Sequence, residues 1–158
     1  MSISIALNSA TINALDLSPV ETFVTKQIAE GMLASYEQQV SFEINYSREE
    51  DDPRELSEIP EIRLWFVRLD ARYPWFFFLL DGKSGEIYRY TAMLVPHQFN
   101  RTEGIQYNPE ALEIFVMNKM FVLSDWLKQQ GISSATKLKA LAQMLGYDLD
   151  ESFFTLLD

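Results

Sequence analysis

Arg68, Asp70 and Arg72 occupy every second position of a largely apolar stretch, and they are the first candidates for chemistry. An arginine can grip a carboxylate through two parallel hydrogen bonds, so opposite charges two residues apart can act together in a site. With Asp81 and His97 they could line a small enzyme pocket. The same side chains could instead form an ion network that closes the edge of a sheet, and such networks are the commoner arrangement. We favour the ion network.

Metal and nucleophile chemistry find little support in the composition. The sequence has no cysteine and one histidine, His97, which excludes a thiolate nucleophile and leaves no cysteine–histidine metal site. Because no serine or lysine that it could activate stands near His97 in the sequence, we expect it to be a packed or hydrogen-bonded loop residue. We predict no catalytic residue, no cofactor and no metal ligand.

Gly82-Lys83-Ser84 resembles the end of a phosphate-binding loop. The full pattern needs a glycine at the position that Phe77 occupies, and it needs a helix after the loop. We predict a strand after this loop. Both grounds argue against nucleotide binding.

The longest polar connection, residues 47–60, carries a cluster of carboxylates. Hard cations prefer oxygen ligands, but this segment lacks both the spacing of a calcium loop and its central glycine. A solvated acidic loop is the favoured interpretation. A partner-recognition loop is the alternative, because mobile loops of this length are often functional.

The charge of the 158-residue chain is strongly negative, with a formal net charge of −10. Nucleic acids and anionic membrane surfaces would repel such a protein, so we expect neither as a partner. The charge is uneven: residues 48–58 carry −4, whereas residues 63–101 carry +3. The first basic residue is Lys26, so no leader or transit peptide is recognised, and we expect a cytosolic location.

The candidate residues lie in a segment that predicts three consecutive strands, Ile62–Ala71, Trp75–Leu80 and Ile87–Val95. The first is apolar on both faces when side chains alternate, which is typical of a central strand. The second is rich in aromatic residues, and Asp81–Glu86 offers a turn with two glycines. We therefore predict a hairpin or meander over residues 62–95.

The remaining elements complete an α+β pattern. Alternation predicts strands at residues 2–7 and 40–46, and helical spacing follows Ser18-Pro19 to about Ala34. Asn108-Pro109 opens a long helix over residues 109–130, too polar at Lys119 to span a membrane. Two C-terminal helices follow, and the last is too acidic to read DNA. We predict one globular α+β domain over residues 1–158, with a mainly antiparallel sheet and these helices packed on it.

Several long strings resemble one family, and together they extend the resemblance over residues 40–158. The strings are Asp51–Phe66, Arg68–Trp75, Leu94–Phe99, Gly104–Val116 and Phe121–Leu127. They are similar to the cyanobacterial and chloroplast family named chlororespiratory reduction, sixth member. No catalytic or ligand-binding motif of that family can be carried over to residues of this chain.

The resemblance implies a soluble assembly factor, not an enzyme, that matures iron–sulfur subunit I of the photosynthetic NADH dehydrogenase-like complex. It also implies a cyanobacterial cytosolic protein whose plant relatives act in the stroma. Lacking cysteine, the chain cannot ligate the subunit's clusters through thiolates. A small-ligand-binding or regulatory domain using an aromatic sheet face is one alternative, and an enzyme with the Arg/Asp/His pocket is another.

If the resemblance holds, a mostly apolar and aromatic patch should be exposed for the partner protein. Tryptophan and arginine dominate interface hot spots, because they combine large buried area with directed hydrogen bonds. We therefore predict Arg68, Arg72, Trp75 and Tyr107 as partner contacts, with the acidic loop 48–58 at the rim. Internal ion pairs and core packing are the alternative roles of these residues.

Overall fold

Two of the predicted strands are present, and they pair with each other. The structure is a computed structural model that describes residues 2–157. In it, β1 (Ile3–Asn8) and β2 (Val40–Asn45) form a two-stranded parallel sheet. Parallel neighbours require a crossover connection, which here contains α1 (Ser9–Asn13), α2 (Ser18–Ala29) and a 3-10 turn.

The rest of the first compact unit, which ends at Leu94, is helical. A 3-10 turn at Leu56–Glu58 leads into α3 (Pro60–Arg72). A 3-10 segment over Pro74–Leu79 follows, and then α4 (Glu86–Leu94). The core of this unit is aromatic. Phe42 of β2 packs edge-on against Trp65 and Phe66 of α3, with ring centroids 5.9 Å and 5.2 Å away.

The predicted meander over residues 62–95 is wrong, because this segment is helical. The buried residues of α3 are Ile62, Trp65, Phe66 and Leu69, a spacing of three and four residues that matches one face of a helix. A short run with apolar residues at most positions fits both a strand covered on both faces and a helix, and here tertiary packing selects the helix.

The two following strands are wrong for related reasons. Trp75–Leu80 was expected as a strand from its aromatic content, but strand propensity chiefly measures fit to a half-buried sheet surface. These phenylalanines are instead fully buried in a 3-10 segment, and only Leu80 forms a bridge, to Val40. The Asp81–Gly85 turn enters α4 rather than a return strand, with Gly85 at a φ of +80°.

The second unit begins at Val95. It contains an antiparallel hairpin of β3 (His97–Asn100) and β4 (Gly104–Tyr107), so His97, which was expected to lie in a loop, begins a strand. The long helix is confirmed as α5 (Pro109–Gln129), and the Asn108 side chain caps it by accepting the Ala111 N–H at 3.0 Å. The two C-terminal helices are also present, as α6 (Ala135–Met144) and α7 (Glu151–Leu157).

The α+β class is therefore correct, whereas the mainly antiparallel sheet is not. Among residues 2–157 each sheet has two strands, one sheet parallel and the other antiparallel. The sheet on which the helices were expected to pack does not form.

Candidate functional site

An open groove in the first unit brings two of the predicted contact residues together. It lies between the α1–α2 connection and α3, has a volume of about 490 Å³, and includes both Arg68 and Arg72 in its lining. The two arginines stand one helical turn apart on α3, so their side chains project from the same side. The remaining lining residues are Leu15, Asp16, Leu17, Glu21 and Ala71.

Hydrogen bonds hold the α1–α2 connection that lines this groove in place. Asp16 accepts hydrogen bonds from the N–H and the hydroxyl of Ser18, at 2.9 Å and 2.7 Å, and these bonds lower the pKa of its carboxyl. The Trp65 indole of α3 donates to the Asp16 carbonyl at 2.9 Å. Leu15, the residue before it, has a φ of +51°, an uncommon conformation for a branched side chain. The connection is thus tied to α3 by a buried anchor.

Arg68 and Arg72 each have a partner inside the groove. Nη1 of Arg68 donates to the Leu15 carbonyl at 2.6 Å. Nε of Arg72 donates to the Tyr73 hydroxyl and pairs with a Glu21 carboxylate oxygen, both at 3.1 Å. The Tyr73 hydrogen bond and then the Glu21 charge raise the pKa of Arg72. The Arg72 and Glu21 side chains remain 60% and 37% exposed, so solvent screens this pair.

Trp75 lies near Arg72, and the Tyr73 ring contacts both residues. The Arg72 guanidinium lies 5.6 Å from the Tyr73 ring centre, and that ring meets Trp75 edge-on with centroids 5.6 Å apart. Trp75 is half-buried. Three of the four predicted contacts therefore lie in one neighbourhood.

Tyr107, the fourth, belongs to the hairpin of the second unit. Its ring lies 6.0 Å from the His97 ring, and both residues line a smaller groove of about 320 Å³. Nδ1 of His97 lies 3.1 Å from the Val95 carbonyl, in hydrogen-bonding contact. The role of these four residues as partner contacts stays a prediction.

The side chains of the postulated enzyme pocket have separate structural partners. In a helix Asp70 points about 200° away from Arg68, not to the same side as a strand would place it. Asp70 accepts a 2.6 Å hydrogen bond from the hydroxyl of the fully buried Tyr90. Burial, then the Asp70 charge, raises the pKa of Tyr90 well above its ordinary value.

Asp81 organises the turn that resembles a phosphate-binding loop. Its carboxylate accepts the N–H groups of Lys83 and Ser84, at 2.8 Å and 3.2 Å. A helix does follow this turn, so that ground for excluding nucleotide binding was wrong. The other ground, Phe77 in place of a glycine, still holds, and the backbone amides of Lys83 and Ser84 already bind the protein's own carboxylate.

The acidic loop contains an ion pair between Asp52 and Arg54. The Asp52 carboxylate accepts hydrogen bonds from the Arg54 guanidinium, the shortest at 2.9 Å from Nε and 2.7 Å from Nη2. This side-chain contact, with the Arg54 N–H, lowers the pKa of Asp52 to about 2. Across residues 2–157, no group of three or more histidine, aspartate or glutamate side chains is placed to hold a metal ion.

Sequence reasoning missed the outer side of α3, because it assumed a strand. Leu64 and Val67 are each 48% exposed, and Ala71, Arg68 and Arg72 are also exposed. We call these five residues the α3 face. The buried residues of α3 could have indicated it, since a helix that buries Ile62, Trp65, Phe66 and Leu69 must turn Leu64 and Val67 outward.

The family model for chlororespiratory reduction 6 matches residues 7–156, nearly the whole sequence. The chain belongs to the chlororespiratory reduction 6 family. This membership suggests a role in the assembly of the NADH dehydrogenase-like complex and in photosynthesis, and the family is not a known class of enzyme.

No solved structure matches the chain. Within the part of the chain that the structure describes, each helix is too short or too polar to cross a membrane.

Proposed function

We propose that this protein is an assembly factor that binds the immature iron–sulfur subunit I of the NADH dehydrogenase-like complex. The family match over residues 7–156 carries the proposal, because it links the chain to the assembly of that complex. We place the protein in the cyanobacterial cytosol, or in the stroma for plant relatives. Its role would be to hold the subunit until its docking partners arrive.

The α3 face, together with Trp75, is the surface that we assign to this partner. It combines exposed apolar side chains, Leu64 and Val67, with two arginines and a half-buried tryptophan. Tryptophan and arginine are enriched among interface hot spots, and the apolar side chains beside them can exclude water from such contacts. A partner segment with apolar side chains and a carboxylate would be complementary to it.

The ion pair between Arg72 and Glu21 is suited to exchange. Solvent screens exposed ion pairs and holding two long side chains together costs entropy, so little free energy holds Arg72 to Glu21. A carboxylate of the partner can therefore replace Glu21 at small cost. An assembly factor must also release its client, and a surface built from weak, exposed contacts allows both steps.

Recombinant subunit I lacking its clusters, immobilised and titrated with this protein, tests the proposal. We expect saturable binding by the native sequence and at least a tenfold loss for Arg72→Glu, since a hot-spot residue contributes about 2 kcal/mol or more. The melting temperature should fall by less than about 4 °C, the shift that 1 kcal/mol produces in a chain of this size. Lys83→Glu, a charge reversal in the exposed Asp81 turn, is the matched control and should bind normally.

The outcomes separate the two parts of the proposal. No binding by the native sequence would reject subunit I as the client. Native binding that survives Arg72→Glu would reject the α3 face as the contact while leaving the client in place.

A small-ligand-binding or regulatory role is the second candidate, and the groove favours it. Its volume of about 490 Å³ falls within the range of ligand sites, although four of its seven lining residues are charged. Purification from thylakoid-bearing cells distinguishes the candidates. Co-purified subunit I supports the assembly factor, whereas a stoichiometric small molecule without subunit I supports the ligand-binding domain.

A further inference from the structure

The second unit carries an apolar stripe on the outer side of α5. Ile114 and Phe121 are 70% and 51% exposed, and Met117 between them is half-buried. These residues follow the spacing i, i+3 and i+7, which is the seam along which one helix packs against another. We call the three residues the α5 stripe.

The α5 stripe is additional to the buried face of the same helix. The core contacts of α5 are made by its other side, whose buried apolar residues include Val116, Met120, Leu123 and Leu127. The stripe therefore exposes apolar area that the fold of this unit does not use. Large exposed apolar side chains arranged in a row mark interaction surfaces.

Helix α7 contacts the α5 stripe at Phe121, the last residue of the stripe. The Phe121 ring meets the Phe153 ring edge-on, with centroids 5.8 Å apart. Phe153 in turn contacts Phe154, which is buried, at 5.4 Å. Phe121 is thus braced on one side by aromatic rings and open on the other, so it presents a fixed surface to a partner.

The exposed charges along the stripe between Pro109 and Trp126 are acidic, and the exposed Lys128 lies one heptad beyond Phe121, in the last turn of α5. Glu110, Glu113 and Asp125 are exposed carboxylates. Lys119, the lysine between these carboxylates, is buried, with its ammonium 5.4 Å from the centre of the Phe115 ring. From Pro109 to Trp126, a stretch that the structure describes completely, every exposed charged side chain is therefore acidic.

We propose that the α5 stripe binds a basic amphipathic helix of a partner protein. A helix fits because Ile114 and Phe121, two turns apart, are separated by about 10 Å along the axis, which is the repeat of a heptad seam. Basic flanks fit because three carboxylates border the apolar row, and complementary charge both speeds encounter and excludes wrong partners. The proposal uses a different surface from the α3 face and does not rest on the proposed function.

Two synthetic helical peptides with the same leucine heptad seam test this inference, one flanked by lysines and the other by glutamates. We expect the lysine peptide to bind the full chain and to shift the backbone amide resonances of residues 110–125. The glutamate peptide should bind at least about tenfold more weakly, because its flanks would face carboxylates. Raising the salt concentration from about 0.05 M to about 0.5 M should weaken the binding of the lysine peptide, since salt screens exposed charges.

Ile114→Glu should abolish binding of the lysine peptide. Ile28→Glu is the matched control, because Ile28 is also an exposed isoleucine, 59% exposed on α2, and the substitution adds the same charge. If Ile114→Glu does not fold, Ile114→Gln replaces it, with at least a fivefold loss expected.

Several outcomes would overturn the inference. Equal binding of the two peptides would mean that the surface is apolar without charge preference. Equal losses in Ile28→Glu and Ile114→Glu, or shifts centred outside residues 110–125, would locate the binding elsewhere. Self-association that Ile114→Glu removes would show that a second copy of the chain occupies the stripe.

Discussion

Tyr90 shows how a single buried hydroxyl can stabilise the first unit. Its ring packs against Phe66 with centroids 5.6 Å apart, and its hydroxyl donates to Asp70 at 2.6 Å. Hydrogen bonds to charged groups contribute about 1.5–3 kcal/mol. This bond joins α3 to α4 at a point where no solvent reaches the phenol.

Tyr90→Phe should therefore lower the free energy of unfolding by about 1.5 kcal/mol, the low end of that range. The loss is at the low end because Asp70 is half-buried, so water can solvate part of its carboxylate when the tyrosine donor is removed. Urea unfolding at neutral pH measures the change. Tyr46→Phe, at a half-exposed ring, should cost less than about 0.5 kcal/mol. Equal losses in the two variants would contradict the role given to the Tyr90 hydroxyl.

Glu86 is a buried carboxylate whose ionisation opposes folding. It is 4% exposed, and although Arg89 donates to it at 2.8 Å, burial raises its pKa above the ordinary value of about 4.5. A raised carboxyl pKa means that the unfolded chain loses this proton at lower pH than the folded chain. This residue therefore makes the protein less stable as the pH rises from about 4.5 through the folded pKa.

Glu86→Gln should remove that contribution. We expect the stability of the variant, relative to the native sequence, to increase with pH above about 4.5 and to level off above the folded pKa. Urea unfolding of both proteins between pH 4.5 and 8 gives the difference, in which the other carboxylates cancel. A difference that does not change with pH would contradict the raised pKa.

At the scale of the element, α3 has one buried and one open side. Phe66 is fully buried and contacts three other aromatic rings, whereas its neighbour Val67 is half-exposed. A central strand would instead cover both residues, one on each face. The two positions therefore test the helix directly.

Phe66→Ala should cost about 3–5 kcal/mol, because the loss of buried area is compounded by a cavity. Val67→Ala should be neutral or slightly stabilising, since alanine is the better helix former at an exposed position. Thermal and urea unfolding of the two variants supply the measurement. A loss above about 2 kcal/mol for Val67→Ala would mean that this side of α3 is covered.

At the scale of the whole molecule, the chain separates into two compact units that meet in sequence between Leu94 and Val95. A small single domain usually unfolds as one cooperative unit. The prediction of one domain over residues 1–158 can be checked with tryptophan, because Trp65 and Trp75 lie in the first unit and Trp126 in the second.

We expect one unfolding transition for both units. Fluorescence of Trp126→Phe reports only the first unit, and fluorescence of a Trp65→Phe, Trp75→Phe double variant reports only the second. Because each substitution can itself change stability, the fluorescence midpoint in urea is compared with the circular dichroism midpoint of the same variant. After this correction the midpoints of the two units should coincide. Separate midpoints would show that the chain consists of two independently folding domains.

The sequence by itself determined the elements whose signals are local. The alternation of Val40, Phe42 and Ile44 predicted β2, and Asn108-Pro109 predicted the start of α5, because neither a one-sided strand nor a helix cap needs distant residues to be recognised. The long family-specific strings also identified the family, since they are read directly from the residues.

Only the tertiary structure decided the segment from Ile62 to Val95. Its apolar residues fit both the two-residue repeat of a strand and the 3.6-residue repeat of a helix. The choice between strand and helix depends on whether Phe66 and Tyr90 pack on a sheet or against each other, and here they pack against each other. That choice also decides the candidate site. In a strand Arg68, Asp70 and Arg72 would share one face, whereas in α3 the two arginines face the groove and Asp70 turns away to hold Tyr90.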